Sequence, residues 1–492
     1  MWHGHLAGAA RPGPGTAGRP AAVARPEVPD RPGTGIEEAE AGFMVRRVTT
    51  ARVLAALLLL ACGTVVGRAG ARAVAGASAT TRSGVRITGV GPRATAARLR
   101  GAAAWSRGTG AAEAPAAVPL TARSGIWTGT WEAAPSGTAR ALPGASIRNV
   151  VHISVGGRAL RIRLSNRLGG APLRLGAVTV ALAAHRGPAA VPGSMRRAVF
   201  HGAPAVTVPA GRDVVSDPVP LAVPAAADLL VTVYTPVDSG PATHHRSALR
   251  TGWLAHAGDR SADENGAAYT ATTGFWYYVT GVDVLAARAA GSVVALGDSL
   301  TDGTGSTPGA DHRWPDRLAG LLAALPPARR FGVLNAGISG NRLLRDGVGP
   351  SALDRLDPDA LSRAGVRVLV VWEGVNDLKG SPAVTDPAAF VTAYRTIAVR
   401  AHARGIRVVG ATLTPYRGYR AWTAAGEAVR EQVNALIRGG GVFDAVVDLD
   451  AVVRDPGRPD RILPAYDPGD HLHLDDAGML AVASAVRTVA FR

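Results

Sequence analysis

The chain has 492 residues, 47% of them hydrophobic, and a formal net charge of +17. This is length enough for two or three domains with full cores, and too apolar for a disordered protein. The positive charge does not describe a nucleic-acid binder: 15 Arg against 6 acids fall within residues 1–121, the remaining Arg are scattered, Lys379 is the one lysine, and no basic run is interleaved with aromatics.

Residues 1–43 are rich in Pro, Gly and Ala without helical or strand periodicity, and read as a disordered leader or as an extension upstream of a true start at Met44. Residues 44–79 carry a signal-peptide pattern. Arg46, Arg47 and Arg52 form a basic region, Val53 to Val66 an apolar one, and small-residue sites follow at Ala71-Arg72-Ala73 and Ala75-Gly76-Ala77. The apolar run is shorter than the roughly 20 residues a membrane span needs. The expected destination is therefore the cell exterior, with only transient membrane contact. An alternative is a lipid anchor on the outer surface, because Leu59-Leu60-Ala61-Cys62 approximates a bacterial lipobox. Cys62 is the single cysteine, which excludes an intrachain disulfide and any multi-cysteine metal site. Residues 80–121 read as a linker.

From 122 to 289 the texture becomes β-rich. Short apolar or alternating runs, such as Ile147–Val155, Ala159–Leu164, Ala177–Ala181, Ala205–Val208 and Leu229–Tyr234, are separated by Gly, Pro and Asn turns. This spacing predicts an antiparallel β-sandwich. Alternation of apolar residues with Arg161 and Arg163 gives one strand a wet face. Phe275-Trp276-Tyr277-Tyr278, with Trp127 and Trp131, reads as inter-sheet core or as the seam against the next domain, rather than as a sugar-stacking platform. His244-His245, without acidic or cysteine partners at ligand spacing, reads as a solvated loop rather than a metal site.

From 290 to 492 nearly continuous apolar strands alternate with helical stretches. Strands are expected at Ser292–Leu296, Phe331–Asn335, Val366–Trp372, Ile406–Thr412 and Ala445–Leu449. Helices are expected near Trp314–Leu325, Pro387–Arg404, Ala421–Arg438 and Asp476–Val489. Five such repeats imply a five-stranded parallel sheet covered on both faces, a three-layer α/β/α domain. In such sheets ligands collect at the carboxyl ends of the strands. Four polar blocks fall there or just before the last helix: Gly297-Asp298-Ser299, Asn335 to Asn341, Glu373-Gly374-Val375-Asn376-Asp377 and Asp470-His471-Leu472-His473.

A serine hydroxyl is a weak nucleophile unless a base takes its proton. His473 can supply the base for Ser299, and Asp470, three residues earlier, can hold the imidazole tautomer. The N–H groups of Ser299 and Gly340 and the amide of Asn376 offer donors for a tetrahedral oxyanion. His471 and Asp467 are local competitors for the base and the acid, and Gly337 for the oxyanion glycine. Asp298 and Asp377 read as braces. No Gly-x-Ser-x-Gly elbow, Walker loop or dinucleotide fingerprint occurs, so no cofactor is expected. The Asp467, Asp470, His471 and His473 group is not read as a metal site.

Taken together, the four blocks resemble the SGNH/GDSL hydrolase superfamily. Arg313-Trp314-Pro315-Asp316 and Gly340-Asn341-Arg342-Leu343-Leu344-Arg345-Asp346-Gly347 resemble a secreted bacterial subgroup that carries an amino-terminal β domain. The resemblance covers about 290–492. It implies a flavodoxin-like domain, Ser299 as nucleophile, Asp470 and His473 completing the triad, and Ser299, Gly340 and Asn376 in the oxyanion hole. One departure is Leu474, where the family often has Pro. The expected activity is carboxylic ester hydrolysis of small-molecule or polysaccharide esters. Because no long apolar lid separates the blocks, short acyl groups are favoured. The rival reading is a carbohydrate-binding or cell-surface protein in which the β domain does the work.

Overall fold

The computed structural model describes residues 125–256 and 258–491. The signal pattern at 44–79, Cys62 and the linker at 80–121 lie outside the described residues.

The β-rich region is built mainly from two antiparallel sheets. One has four strands in the order Ile126–Glu132, Val279–Ala286, Leu160–Ser165, Asp213–Val215. The other has six, in the order Ala271–Thr273, Gly252–Ala255, Ala145–His152, Asp228–Thr235, Ala177–Leu182, Arg196–Arg197. Period-two alternation sends Ile162, Leu164, Val282 and Val284 of the first sheet, and Ile147, Val231 and Val233 of the second, into one buried cluster. The aromatic run belongs to that core. Trp276 meets the edge of Trp131 at 5.0 Å and donates its indole N–H to Val150 O at 2.8 Å. Trp131, Trp276, Tyr277 and Tyr278 are all buried, so they present no face for a sugar to stack on.

Two expectations for this region need correction. The Arg face of Leu160–Ser165 is only half-exposed: Arg161 pairs with Asp283 at 2.9 Å and lies over the Trp127 ring at 4.1 Å. His244 and His245 are not on a solvated loop. They end the buried strand Ala242–His245, which pairs with Gly137–Ala139 on one side and Trp276–Tyr277 on the other. His245 also has an acidic partner, Asp302, 57 residues away, and that sequence distance hid the pairing.

The α/β region has five parallel strands. In sheet order they are Phe331–Gly337, Gly291–Gly297, Val366–Trp372, Arg407–Ala411 and Ala445–Val447, so in chain order the sheet runs 2-1-3-4-5. This is the flavodoxin-like doubly wound order, with its switch point between the first and third strands. Gly291–Gly297 is buried along its whole length, as a central strand covered on both faces must be. Helix Trp314–Ala323 packs on the last helix, Asp476–Ala490, and Pro387–His402 packs on Ala424–Arg438. Caps set the helix starts: Asp386 accepts from Ala388 N, Thr423 from Gly426 N, and Asp475 from Ala477 N and Gly478 N.

The two regions meet along the edge of the parallel sheet. Ile126–Glu132 lies against Phe331–Gly337, and Ala133 forms a parallel bridge with Asn335. This approach requires glycine, since a Cβ on Gly332 would sit 1.9 Å from Gly129 O. Gly129 N–H donates to Ala364 O at 2.9 Å, and the Ser292 hydroxyl donates to Gly129 O at 3.1 Å. Buried ion pairs cross the same seam: Glu132 with Arg363 at 2.6 Å, and Arg167 with Asp359. The seam covers a sheet edge that would otherwise be open.

Candidate active site

The strand Gly291–Gly297 hands directly into the short helix Ser299–Asp302. Asp298 caps that helix by accepting from Leu300 N at 3.0 Å, and Gly303, at φ 107°, ends it. The turn is too tight for a side chain at 297, where a Cβ would sit 2.2 Å from Thr301 Oγ1 and 2.5 Å from Trp372 O. This geometry leaves the Ser299 side chain at the carboxyl edge of the central strand.

Asp470 and His473 come from the loop before the last helix. One Asp470 oxygen accepts the backbone N–H groups of Leu472 and His473 at 3.0 and 2.9 Å. The other lies 2.5 Å from His473 Nδ1. His473 Nε2 then lies 2.9 Å from Ser299 Oγ. An Nδ1–H donating to the carboxylate leaves the Nε2 lone pair facing the serine hydroxyl. Burial works to raise the Asp470 pKa. The hydrogen bond from the His473 side chain, the two backbone N–H groups and the His473 charge outweigh it, and the carboxyl lies below its ordinary value. The local competitors pair with each other instead: His471 Nδ1 is 2.5 Å from Asp467, and its ring packs against Gly418.

The candidate donor groups lie on Ser299 itself and on the loops that follow the second and third strands. Among the described residues, neither Ser299 N–H nor Gly340 N–H has a protein acceptor. Gly340 adopts φ +86°, a conformation that disfavours any side chain. Gly337 N–H is already spent on Asn335 Oδ1 at 2.9 Å, so 340 is the glycine of this block with a free donor. The Asn376 amide donates to Asn341 O at 2.7 Å and to Asp298 Oδ2 at 3.3 Å. Asp377, on the same short helix, accepts from Leu343 N and Leu344 N at 2.7 and 3.0 Å, and so ties the third strand-end block to the second.

Beneath these loops lies a buried polar layer whose roles the sequence alone did not disclose. Arg355 donates to Asn341 Oδ1 at 2.9 Å, Ala336 O at 2.6 Å and Gly297 O at 3.0 Å, joining the ends of the first two strands. Glu373 lies 3.7 Å from it. Burial, with the like charges of Asp298 and Asp377, pushes the Glu373 carboxyl well above its ordinary value despite Arg355. Burial likewise pushes Asp298 up to about 7, against the Leu300 N–H bond and the charges of Lys379 and Arg355. Nothing in the sequence marks Arg355: an isolated arginine outside the expected elements reads by default as a solvated residue.

The structure therefore brings together Ser299, His473, Asp470, Gly340 and Asn376 from three strand ends and one pre-helix loop. A hydroxyl, an imidazole aligned by a carboxylate and convergent uncharged donors are the parts that acyl transfer requires.

Residues 295–481 match the family described as GDSL-like Lipase/Acylhydrolase. Solved structures similar to the chain include an acetylxylan esterase from Geobacillus stearothermophilus, at 18% identity over 41% of this chain and 94% of that one, with a TM-score of 0.31. They include an aryl esterase from M. smegmatis, at 18% identity over 41% of this chain and 99% of that one, also with a TM-score of 0.31. A GDSL-like lipase from Bacteroides thetaiotaomicron is 17% identical over 40% of this chain and 86% of that one, with a TM-score of 0.30. No curated protein matches the chain. Residues 295–481 of the α/β region thus form a GDSL-like lipase/acylhydrolase domain, which marks that region as a carboxylic ester hydrolase domain.

Proposed function

We propose that the protein is a secreted serine esterase that cleaves short acyl, chiefly acetyl, esters through a Ser299-His473-Asp470 triad. The observation that carries this reading is the continuous pair of hydrogen bonds from Asp470 through His473 to Ser299, 2.5 and 2.9 Å long. Ser299 Oγ attacks the ester carbonyl carbon while its proton passes to His473 Nε2. The carbonyl oxygen becomes an oxyanion that faces Ser299 N–H, Gly340 N–H and the Asn376 amide. Collapse breaks the ester C–O bond, and the leaving alcohol takes the proton from His473. Water, deprotonated by the same imidazole, then attacks the acyl-enzyme and returns the free acid and Ser299.

A short acyl group suits the surroundings. Of the apolar residues of the site loops, Ile338, Leu343, Leu378, Leu413, Leu472 and Leu474 are buried, and Leu344 and Val348 are half-buried. The exposed large apolar side chains among the described residues are Ile126, Val191, Val237, Val399, Leu436 and Leu480, none of them on those loops. A long acyl chain would have no exposed apolar surface of this kind beside the serine to bury against. Export is supported by the basic-apolar-small pattern at 44–79. The test is a chain-length series of nitrophenyl esters, run beside acetylated xylan, on the protein and its Ser299→Ala variant. Hydrolysis should be lost in the variant, and the protein should favour acetate and butyrate esters. Retained activity in the variant contradicts the triad, and a sharp preference for long chains contradicts the short-acyl reading.

A further inference from the structure

The β-rich region sends one polar side chain toward the nucleophile helix. His245 ends the buried strand Ala242–His245, and its side chain is 3% exposed. Its Nδ1 lies 2.8 Å from Ala134 O and its Nε2 lies 3.0 Å from Asp302 Oδ1. A carbonyl oxygen and a carboxylate oxygen both accept, so each ring nitrogen donates. The ring is thus clamped between the β region and Asp302.

Asp302 is the last residue of the short helix that Ser299 begins. Its second oxygen, Oδ2, accepts the Ser339 backbone N–H at 3.0 Å and the Ser339 hydroxyl at 2.5 Å. The Ser339 and Thr304 hydroxyls are 3.1 Å apart. Ser339 directly precedes Gly340, and the peptide between them carries the Gly340 N–H. We infer that His245 is a positioning residue for ester hydrolysis: through Asp302 it fixes Ser339, and with it the oxyanion donor of Gly340. The inference rests on the reading of Ser299 as the nucleophile.

Physical chemistry explains why Asp302 needs this partner. A buried carboxylate without a counter-charge either takes up a proton or draws in water. Protonation would turn one oxygen into a donor and disturb the acceptor that holds Ser339. His245 and, more distantly, Arg313 are the basic side chains that face it. Burial works to raise the Asp302 pKa, but the charge and hydrogen bond of His245, then Arg313 and the Ser339 hydroxyl, hold it below the ordinary value. Donor placement matters most when negative charge has developed on the substrate oxygen, so a loosened Gly340 lowers kcat more than it raises KM.

The test uses the full chain as wild type, His245→Gln, His245→Leu and Ser339→Ala. Active sites are counted by covalent labelling of Ser299 with a fluorophosphonate, and kcat and KM for p-nitrophenyl acetate are expressed per labelled site. His245→Leu should lower kcat about 10- to 100-fold, less than the roughly 10²–10³ that follows removal of a donor. His245→Gln, which keeps one donor toward Asp302, should fall between it and wild type. Ser339→Ala should lower kcat about tenfold, with KM within about threefold throughout. If kcat per site stays within about twofold of wild type in both His245→Leu and Ser339→Ala, or if the loss lies wholly in KM, the inference is overturned. Should His245→Leu fail to fold, Ser339→Ala decides alone by the same criteria. Wild-type hydrolysis that does not depend on Ser299 overturns the esterase reading and this inference with it, whereas a Ser299-dependent enzyme indifferent to both substitutions overturns the positioning role only.

Discussion

The amide nitrogen of Asn376 lies 3.3 Å from a carboxylate oxygen of Asp298, the residue immediately before Ser299. A shorter bond, 2.7 Å to Asn341 O, holds the same amide from the other side. Both amide hydrogens thus have partners before any substrate arrives: the 2.7 Å bond orients the amide, and an oxyanion would take over the hydrogen that the longer contact to Asp298 engages. Asn376→Ala should lower kcat by about 10²–10³ with a much smaller change in KM. Initial-rate kinetics on p-nitrophenyl acetate, beside a circular-dichroism melt to establish folding, measure it. An unchanged kcat would remove Asn376 from the oxyanion site.

Asp298 leads to a prediction about stability. Its carboxyl is buried and pushed up to about 7, above the value near 3.9 of an unfolded chain. Between those values the folded state binds more protons than the unfolded one, so stability falls as pH rises. The contribution is fully present below about pH 4 and is lost as pH rises through about 7, at up to about 1.4 kcal/mol per pH unit. Asp298→Asn keeps a side-chain oxygen for the Leu300 N–H and removes the titration. The difference in unfolding free energy between wild type and variant, from urea melts at pH 5 and pH 8, should move against the wild type by about 2–4 kcal/mol. A pH-independent difference would show that Asp298 does not titrate in this window.

Asp470 is more exposed than a buried triad acid, with 43% of its side-chain surface accessible. It still accepts two backbone N–H groups besides the imidazole. Asp470→Asn should cost kcat about 10²–10³, short of the roughly 10⁴ known for a fully buried acid in this role. A loss below tenfold, measured at saturating substrate, would mean that His473 keeps its orientation without the carboxylate.

Arg355 is buried, with 1% of its side chain accessible, and it faces three oxygen acceptors and Glu373. Arg355→Met keeps most of the volume but strands those acceptors in a dry layer. Breaking such an arrangement typically costs about 3–5 kcal/mol. Denaturant unfolding should show a loss of that size. A loss under about 1 kcal/mol would mean that the loops are held by other means.

The parts of this molecule that were readable in the sequence share a physical cause. Buried parallel strands are continuous apolar runs, so Val366–Trp372 is expected and found with identical ends. The polar blocks that follow such runs stand out by contrast, which is why Ser299 and Asn376 could be named, while His473 stood out by its spacing from Asp470 ahead of the last helix. His245, Asp302 and Arg355 could not be assigned roles in this way. Their partners lie on different elements, and a histidine in a short strand or an arginine in a bend looks the same whether it is solvated or buried. His471 and His473 illustrate the intermediate case: spacing from Asp470 favoured the second, and the structure separates them by giving His471 to Asp467.

The central question is whether Ser299 forms a covalent bond with substrate. The direct measurement is intact-protein and peptide mass spectrometry after rapid quenching of the protein with p-nitrophenyl acetate. The expected result is an added acetyl group on the peptide containing Ser299, absent in Ser299→Ala and accumulating in His473→Ala only at a strongly reduced rate. Rapid Ser299-independent turnover with no acyl adduct at that residue would contradict it.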